Sequence, residues 1–109
     1  MKAAIYCRLS KEDETKIGES ESIQNQKSML IQYAIEKGFD IYQIYSDEDY
    51  SGIDRNRPAF NSMIQAASEH KFDVVLAKTQ SRFTRDMELV EKYLHGKFVE
   101  WGIRFIAVV

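Results

Sequence analysis

Apolar residues recur along this chain as short unbroken runs separated by stretches of helical spacing. Ala3-Ala4-Ile5-Tyr6-Cys7 is the first such run and predicts a buried strand. The segment from Lys11 to Glu21 is polar, contains Gly18 and predicts a mobile loop. From Ser22 to Lys37, Ile23, Met29, Leu30, Ala34 and Ile35 approximate one face of a helix. Ser20 or Ser22 suits its N-cap, and Gly38 its stop. Ile41 to Tyr45 predicts a second strand, followed by a loop through Ser51-Gly52 to Pro58, a residue favoured in a helix first turn. Phe60, Met63, Ile64 and Ala67 mark the inner face of that second helix. Asp73 to Ala77 predicts a third strand. Asp86 to Glu100 predicts a third helix with Met87, Leu89, Val90, Tyr93, Leu94 and Phe98 inward. Ile103 to Val109 closes the series as a fourth strand.

Short strands alternating with helices predict an α/β fold: a mainly parallel sheet of four or more strands, covered by helices on both faces. No internal repeat or low-complexity tract interrupts it. A chain of 109 residues fits one domain, and 44% hydrophobic content is enough for a core. The last strand reaches residue 109, so the expectation is a single domain, 1–109, cut from a longer protein. The net charge of -2 is unlike the basic balance of a free-standing DNA-binding module. Most of any nucleic-acid affinity is therefore expected to come from elsewhere. Cys7 is the only cysteine, so no internal disulfide can form, and a reducing, cytoplasmic location is expected. No apolar run approaches the ~20 residues of a membrane span, and the apolar stretch after Met1-Lys2 is too brief for a signal peptide.

The chemistry lies where strands end. In Tyr6-Cys7-Arg8-Leu9-Ser10 a guanidinium and a hydroxyl stand two residues apart, and strand alternation sends both to one side. Ser81-Arg82-Phe83-Thr84-Arg85-Asp86 follows the third strand and adds two arginines, three apart, that share a helix face if the helix begins early. In open α/β sheets, sites form beyond the carboxyl ends of the strands. Ser10, Asp47, Arg82 and Arg85 would converge there. A serine among several arginines, with little histidine, points to chemistry on a phosphate.

These segments, in this order, resemble the catalytic domain of the serine recombinases (the resolvase/invertase family), and within it the large or transposon-type branch. The resemblance spans the chain: Tyr6-Cys7-Arg8-Leu9-Ser10, Ser22-Ile23-Gln24-Asn25-Gln26, Asp47 through Tyr50-Ser51-Gly52, Arg57-Pro58-Ala59-Phe60, and Lys78 to Arg85. It implies cleavage of double-stranded DNA by Ser10, leaving a 5′-phosphoserine link and a free 3′-hydroxyl, then strand exchange and religation. It implies no metal and no cofactor. It also implies homodimers that pair into a synaptic tetramer and exchange strands by rotation. Arg8, Arg57, Arg82 and Arg85 fall on the family's active-site arginine positions; Gln26 and Asp47 fall on further polar ones. A dimerisation helix and a DNA-binding region are expected beyond residue 109.

The residue types suit that reaction independently. A phosphodiester transition state spreads charge over several oxygens, and planar guanidinium forks match phosphate oxygens in bidentate fashion. Such preorganised donors are worth roughly 3–4 kcal/mol each on removal. His70 and His95 fall in helix regions away from the strand ends, which leaves arginine or water to move the proton. Each residue also has a plainer reading. Ser10 fits a turn or cap serine. Arg57 fits an ion pair with Asp54 or Glu48, Asp47 a loop cap or a carboxylate orienting an arginine, and Gln26 a turn contact. Cys7 reads as an inert buried thiol, Tyr6 as packing whose hydroxyl reaches the pocket, and Phe60 and Phe83 as core. The acidic residues from Glu12 to Glu21 read as a solvated loop face. Positive charge is mildly unfavourable at a helix N-terminus, so Arg82 and Arg85 are poorly explained by structure alone.

One departure from the family pattern stands out. Ser81 occupies the place of a frequent aspartate, leaving Arg82 without an adjacent carboxylate unless Asp86 or Asp47 substitutes. Two other functions stay open. A flavodoxin-like phosphate-ester enzyme is opposed by the lack of a glycine-rich loop after the first strand. A non-catalytic regulator is opposed by the joint presence of Ser10, Arg8, Arg82 and Arg85. A nuclease without religation would differ by leaving free 5′-phosphates.

Overall fold

Strand β1 (Lys2–Leu9) runs through the middle of the molecule and is buried from Ala3 to its end. The computed structural model describes residues 1–9, 22–48 and 56–109. Expectations for Ser10, the loop from Lys11 to Glu21 with its acidic residues, the Ser20 cap, and Tyr50-Ser51-Gly52 and Asp54 lie outside the described residues.

β1 pairs in parallel with β2 (Asp40–Glu48) on one side and β3 (Val74–Ala77) on the other; β4 (Arg104–Ala107) pairs in parallel with β3. The order β2-β1-β3-β4 is the all-parallel sheet that alternating elements require. Tyr42 is the extra residue of β2 where the register shifts between Ala3 and Ala4. β1 keeps β2 beside it as far as Leu9, whereas β3 accompanies it only to Ile5. The carboxyl end of β1 is thus open on the β3 side.

Alternation along β1 divides the core. Ala3, Ile5, Cys7 and Leu9 pack with α1 (Ile23–Lys37) on one face. Ala4 and Tyr6 face the other layer, built by α2 (Pro58–Ser68) and the helical run 87–100, here α4. Helices cover both faces, as expected. Ser22 caps α1 by accepting from the Asn25 N–H, and Gly38, at φ 75°, ends it in the left-handed conformation that glycine adopts without steric cost. α1 buries Ile23, Gln26, Leu30 and Ala34. Ile35, expected inward, is 69% exposed because it lies off that stripe.

Several boundaries differ from expectation; β4 covers Arg104–Ala107 where Ile103 to Val109 was expected. β2 continues to Glu48, so Asp47 lies within the strand rather than after it. The sequence after β3 forms a separate single turn, α3 (Gln80–Phe83), before α4 begins. α4 opens as Met87–Leu89, continues as a π-helix over Val90–Lys97 and closes as Phe98–Glu100. Asp86 caps its start through the Glu88 N–H, and Met87 faces outward at 64% exposure instead of entering the core. Leu89, Val90 and Phe98 do point inward.

Candidate active site

The carboxyl end of β1 is where buried polar groups collect: Arg8, Gln26, Asp47, Arg57, Arg82 and Thr84 all have less than one-twentieth of their surface exposed. Three of them are guanidiniums. Burial of such groups is costly unless they are hydrogen-bonded, so what holds each one matters.

Arg8 is held through both its backbone and its side chain. The Gln26 amide accepts from the Arg8 N–H at 3.3 Å and donates to the Arg8 carbonyl at 3.1 Å. This two-point clasp sits where β1 no longer has β3 beside it, and it supplies the pairing a neighbouring strand would give. Gln26 therefore bonds a strand, not a turn. The sequence signal was available: a glutamine occupies a position on the buried stripe of α1. Arg8 Nη2 then donates to the Ser81 carbonyl in α3 at 2.6 Å.

Arg57 is held from several sides. Its Nη1 donates to the Phe83 carbonyl at 2.6 Å and to the Tyr6 hydroxyl at 3.2 Å. Its guanidinium carbon lies 4.0 Å from the centre of the Phe60 ring, within cation–π range.

Both arginines thus reach carbonyls of α3. A helix of one turn leaves its last carbonyls without intrahelical partners. Thr84 N–H takes that of Gln80, Arg8 takes that of Ser81, and Arg57 takes that of Phe83. Thr79 caps the other end by accepting from the Arg82 N–H. The Phe83 ring anchors the turn among Tyr6, Phe60, Phe98 and Phe105, with centroid separations of 5.0–6.2 Å.

Arg82 rides on this turn with 4% of its surface exposed. In a single turn the two ends are not separate, so Arg82 is not removed from the helix N-terminus. Arg82 and Arg85 do not share a helix face. α3 stops at Phe83, Thr84 is extended at φ −161°, and Arg85 is exposed in the link to α4. Thr84, overlooked in the sequence, is buried and accepts from the Asp86 N–H, fixing that link.

Asp47 does not orient Arg82. Its Oδ1 accepts from the Ala59 N–H, and its Oδ2 from the Phe60 N–H and the Tyr6 hydroxyl, at 2.7–3.0 Å. It caps α2 from a neighbouring strand, because the local cap position is Arg57, whose side chain makes no cap bond. Burial, partly opposed by Arg57, raises the pKa of Tyr6 above its ordinary value. Cys7 faces the α1 layer, and burial pushes its thiol up to about 12. Asp86 spends a carboxylate oxygen on the Glu88 N–H, and Ser81 Oγ meets Thr79 Oγ1 at 2.9 Å. His95 sits exposed against Glu91 on α4. Among the described residues, no group of His, Cys, Asp or Glu side chains could hold a metal ion.

The sequence model of the family described as "Resolvase, N terminal domain" matches residues 3–108. The chain belongs to that family. It is the catalytic domain of a site-specific DNA recombinase of the serine type. Solved structures agree with the family assignment. The chain is similar to the N-terminal catalytic domain of TP901-1 integrase at 30% identity and a TM-score of 0.88, covering 99% of this chain and 78% of that one. It is also similar to the C-terminal catalytic domain of ISC1926 TnpA, an IS607-like serine recombinase, at 26% identity and a TM-score of 0.82, covering 100% and 68%. A resolvase family site-specific recombinase from Streptococcus pneumoniae gives 27% and 0.79, covering 99% and 72%. A curated relative, "Uncharacterized immunity region protein 3" of Bacillus phage phi105, is 41% identical over 61 residues, or 56% of this chain and 72% of that protein. In this recombinase domain the arginines of three separate segments, Arg8, Arg57 and Arg82, meet around one helical turn. No helix among the described residues is long and apolar enough to cross a membrane.

Proposed function

We propose that this domain cleaves DNA by attack of the Ser10 hydroxyl on a backbone phosphodiester. The Oγ–P bond forms as the P–O3′ bond breaks, leaving a 5′-phosphoserine link and a free 3′-hydroxyl. The serine proton goes, directly or through solvent, to the departing 3′-oxygen. The reverse step, on an exchanged 3′-end, reseals the strand. Arg8, Arg57 and Arg82 stabilise charge on the phosphate oxygens, and Arg85 contacts the backbone from its exposed position. Gln26 and Asp47 position rather than react, since Gln26 clasps the strand carrying Arg8 and Asp47 is engaged as a helix cap.

One observation carries this reading. Arg8 and Arg57 both donate to carbonyls of the turn that bears Arg82, at the end of the strand two residues before Ser10. Guanidiniums fixed by protein carbonyls are preorganised for a phosphate, which is where electrostatic catalysis gains most.

The rest of the reading follows from charge and family. A domain of net charge -2 gains bulk phosphate affinity from other parts of a longer recombinase. That protein acts in the cytoplasm, on double-stranded DNA, as a homodimer that pairs into a tetramer for strand exchange.

The test uses the full-length recombinase with Ser10 intact and with Ser10→Ala, incubated with supercoiled DNA from its own mobile-element ends. Protein linked to 5′ ends is expected with serine and absent with alanine. An adduct persisting in Ser10→Ala moves the nucleophile elsewhere.

A further inference from the structure

We propose that Tyr6 is a positioning residue for Arg57, its hydroxyl coupling that guanidinium to the Asp47 carboxylate. The proposal rests on the reading that Arg57 acts on the scissile phosphate.

The direction of the bonds is dictated by chemistry. A guanidinium only donates, an ionised carboxylate only accepts, and a phenol does one of each. Placed 2.7 Å from Asp47 Oδ2 and 3.2 Å from Arg57 Nη1, the Tyr6 hydroxyl gives its proton to Asp47 and receives one from Arg57. Burial raises the phenol pKa and keeps this proton in place, so Tyr6 serves as a donor and not as a general base.

The geometry fixes the guanidinium plane. The Phe60 ring limits one face at 4.0 Å, and the Phe83 carbonyl and Tyr6 hydroxyl both take Nη1. Asp47 contributes twice: it caps the helix that presents Phe60, and it polarises the phenol that receives Arg57. Without the hydroxyl, Arg57 keeps its ring and carbonyl contacts but loses the link that sets its tilt. The Tyr6 ring packs edge-on against Phe60 at 5.6 Å and Phe83 at 6.2 Å. Tyr6→Phe preserves that packing and removes only the hydroxyl.

The deciding measurement is a double-mutant cycle in the full-length recombinase. Rates of 5′-adduct formation in single turnover are compared for wild type, Tyr6→Phe, Arg57→Met and the double variant, with thermal unfolding of each. Arg57→Met fills the space beside Phe60 without charge. Tyr6→Phe should slow adduct formation roughly tenfold, the effect of one hydrogen bond to a charged group. In the Arg57→Met background it should produce no further slowing, while any drop in melting temperature appears in both backgrounds. A structural role alone would lower the melting temperature without that dependence on Arg57. Wild-type rates in Tyr6→Phe, or equal slowing in both backgrounds, overturn the proposal while leaving the Ser10 reaction intact. Wild-type rates in Arg57→Met overturn it together with the catalytic role of Arg57.

Discussion

Arg8 and Ser81, 73 positions apart in the chain, are joined at 2.6 Å by a bond from the guanidinium to a backbone carbonyl. The side chain of Ser81 takes no part in it; that hydroxyl is exposed and faces Thr79. Arg8 is therefore held by the backbone at position 81, whichever side chain stands there. Ser81→Ala and Ser81→Asp should leave adduct formation within about threefold of wild type and shift stability by about 0.5 kcal/mol or less. A loss of a hundredfold in either variant would mean that the hydroxyl contributes directly.

Replacing Asp47 by asparagine tests the remote cap. One oxygen remains for Ala59, but an amide N–H₂ would oppose the Phe60 N–H, and the favourable charge at the α2 N-terminus disappears. Asp47→Asn should cost about 2 kcal/mol in urea unfolding. An unchanged midpoint would show that α2 does not depend on this carboxylate.

Gln26→Ala removes both bonds to the Arg8 backbone at a fully buried position. The expected cost is about 2–4 kcal/mol, with faster hydrogen exchange at the Arg8 amide. Gln26→Glu, which still accepts but no longer donates, should not restore wild-type stability. Equal stability in both variants and wild type would dismiss the clasp as incidental.

Alkaline pH should weaken the fold through the buried Cys7 thiol. The Cys7 thiol is held protonated to about 12, against 9.0 when unfolded. Below 9.0 both states carry the proton and the contribution is complete. As pH rises past that point the unfolded chain ionises and the native one does not, so stability falls. At ~1.4 kcal/mol per unit the loss from the thiol is about 2 kcal/mol by about pH 10.5. Tyr6 and Tyr45, also raised by burial, act in the same direction at higher pH. Denaturant midpoints at pH 8 and 10.5 in wild type and Cys7→Ala give the comparison: the alanine variant should lose less. Identical slopes would remove Cys7 as a cause.

The parallel sheet and its two helical layers were legible because Ile5, Val75 and Leu30 sit in patterns that only burial explains. So were the Ser22 and Gly38 caps, whose chemistry is local. Asp47 was misplaced for the opposite reason: a carboxylate near a strand end looks like a loop residue until the helix it caps, beginning at Pro58, is seen beside it. The relation of Arg82 to Arg85 failed on a single extended residue, Thr84, which no periodicity announces. The π-helical stretch is equally silent, as its apolar positions also fit an ordinary helix. Gln26 was readable in part: a polar side chain on a buried stripe signals a partner without naming the Arg8 backbone.

The remote cap on α2 bears on the order in which the chain folds. A helix with its own N-cap can gain stability from neighbours in sequence, whereas the first turn of α2 takes its acceptor from β2. An isolated peptide spanning 56–69 should therefore be poorly helical, and α2 should consolidate only once β1 and β2 have paired and Asp47 is set. Arg57 enters its place against Phe60 in that same late step. The cationic cluster is then a product of cooperative folding, absent from any partly folded chain that reaches DNA early.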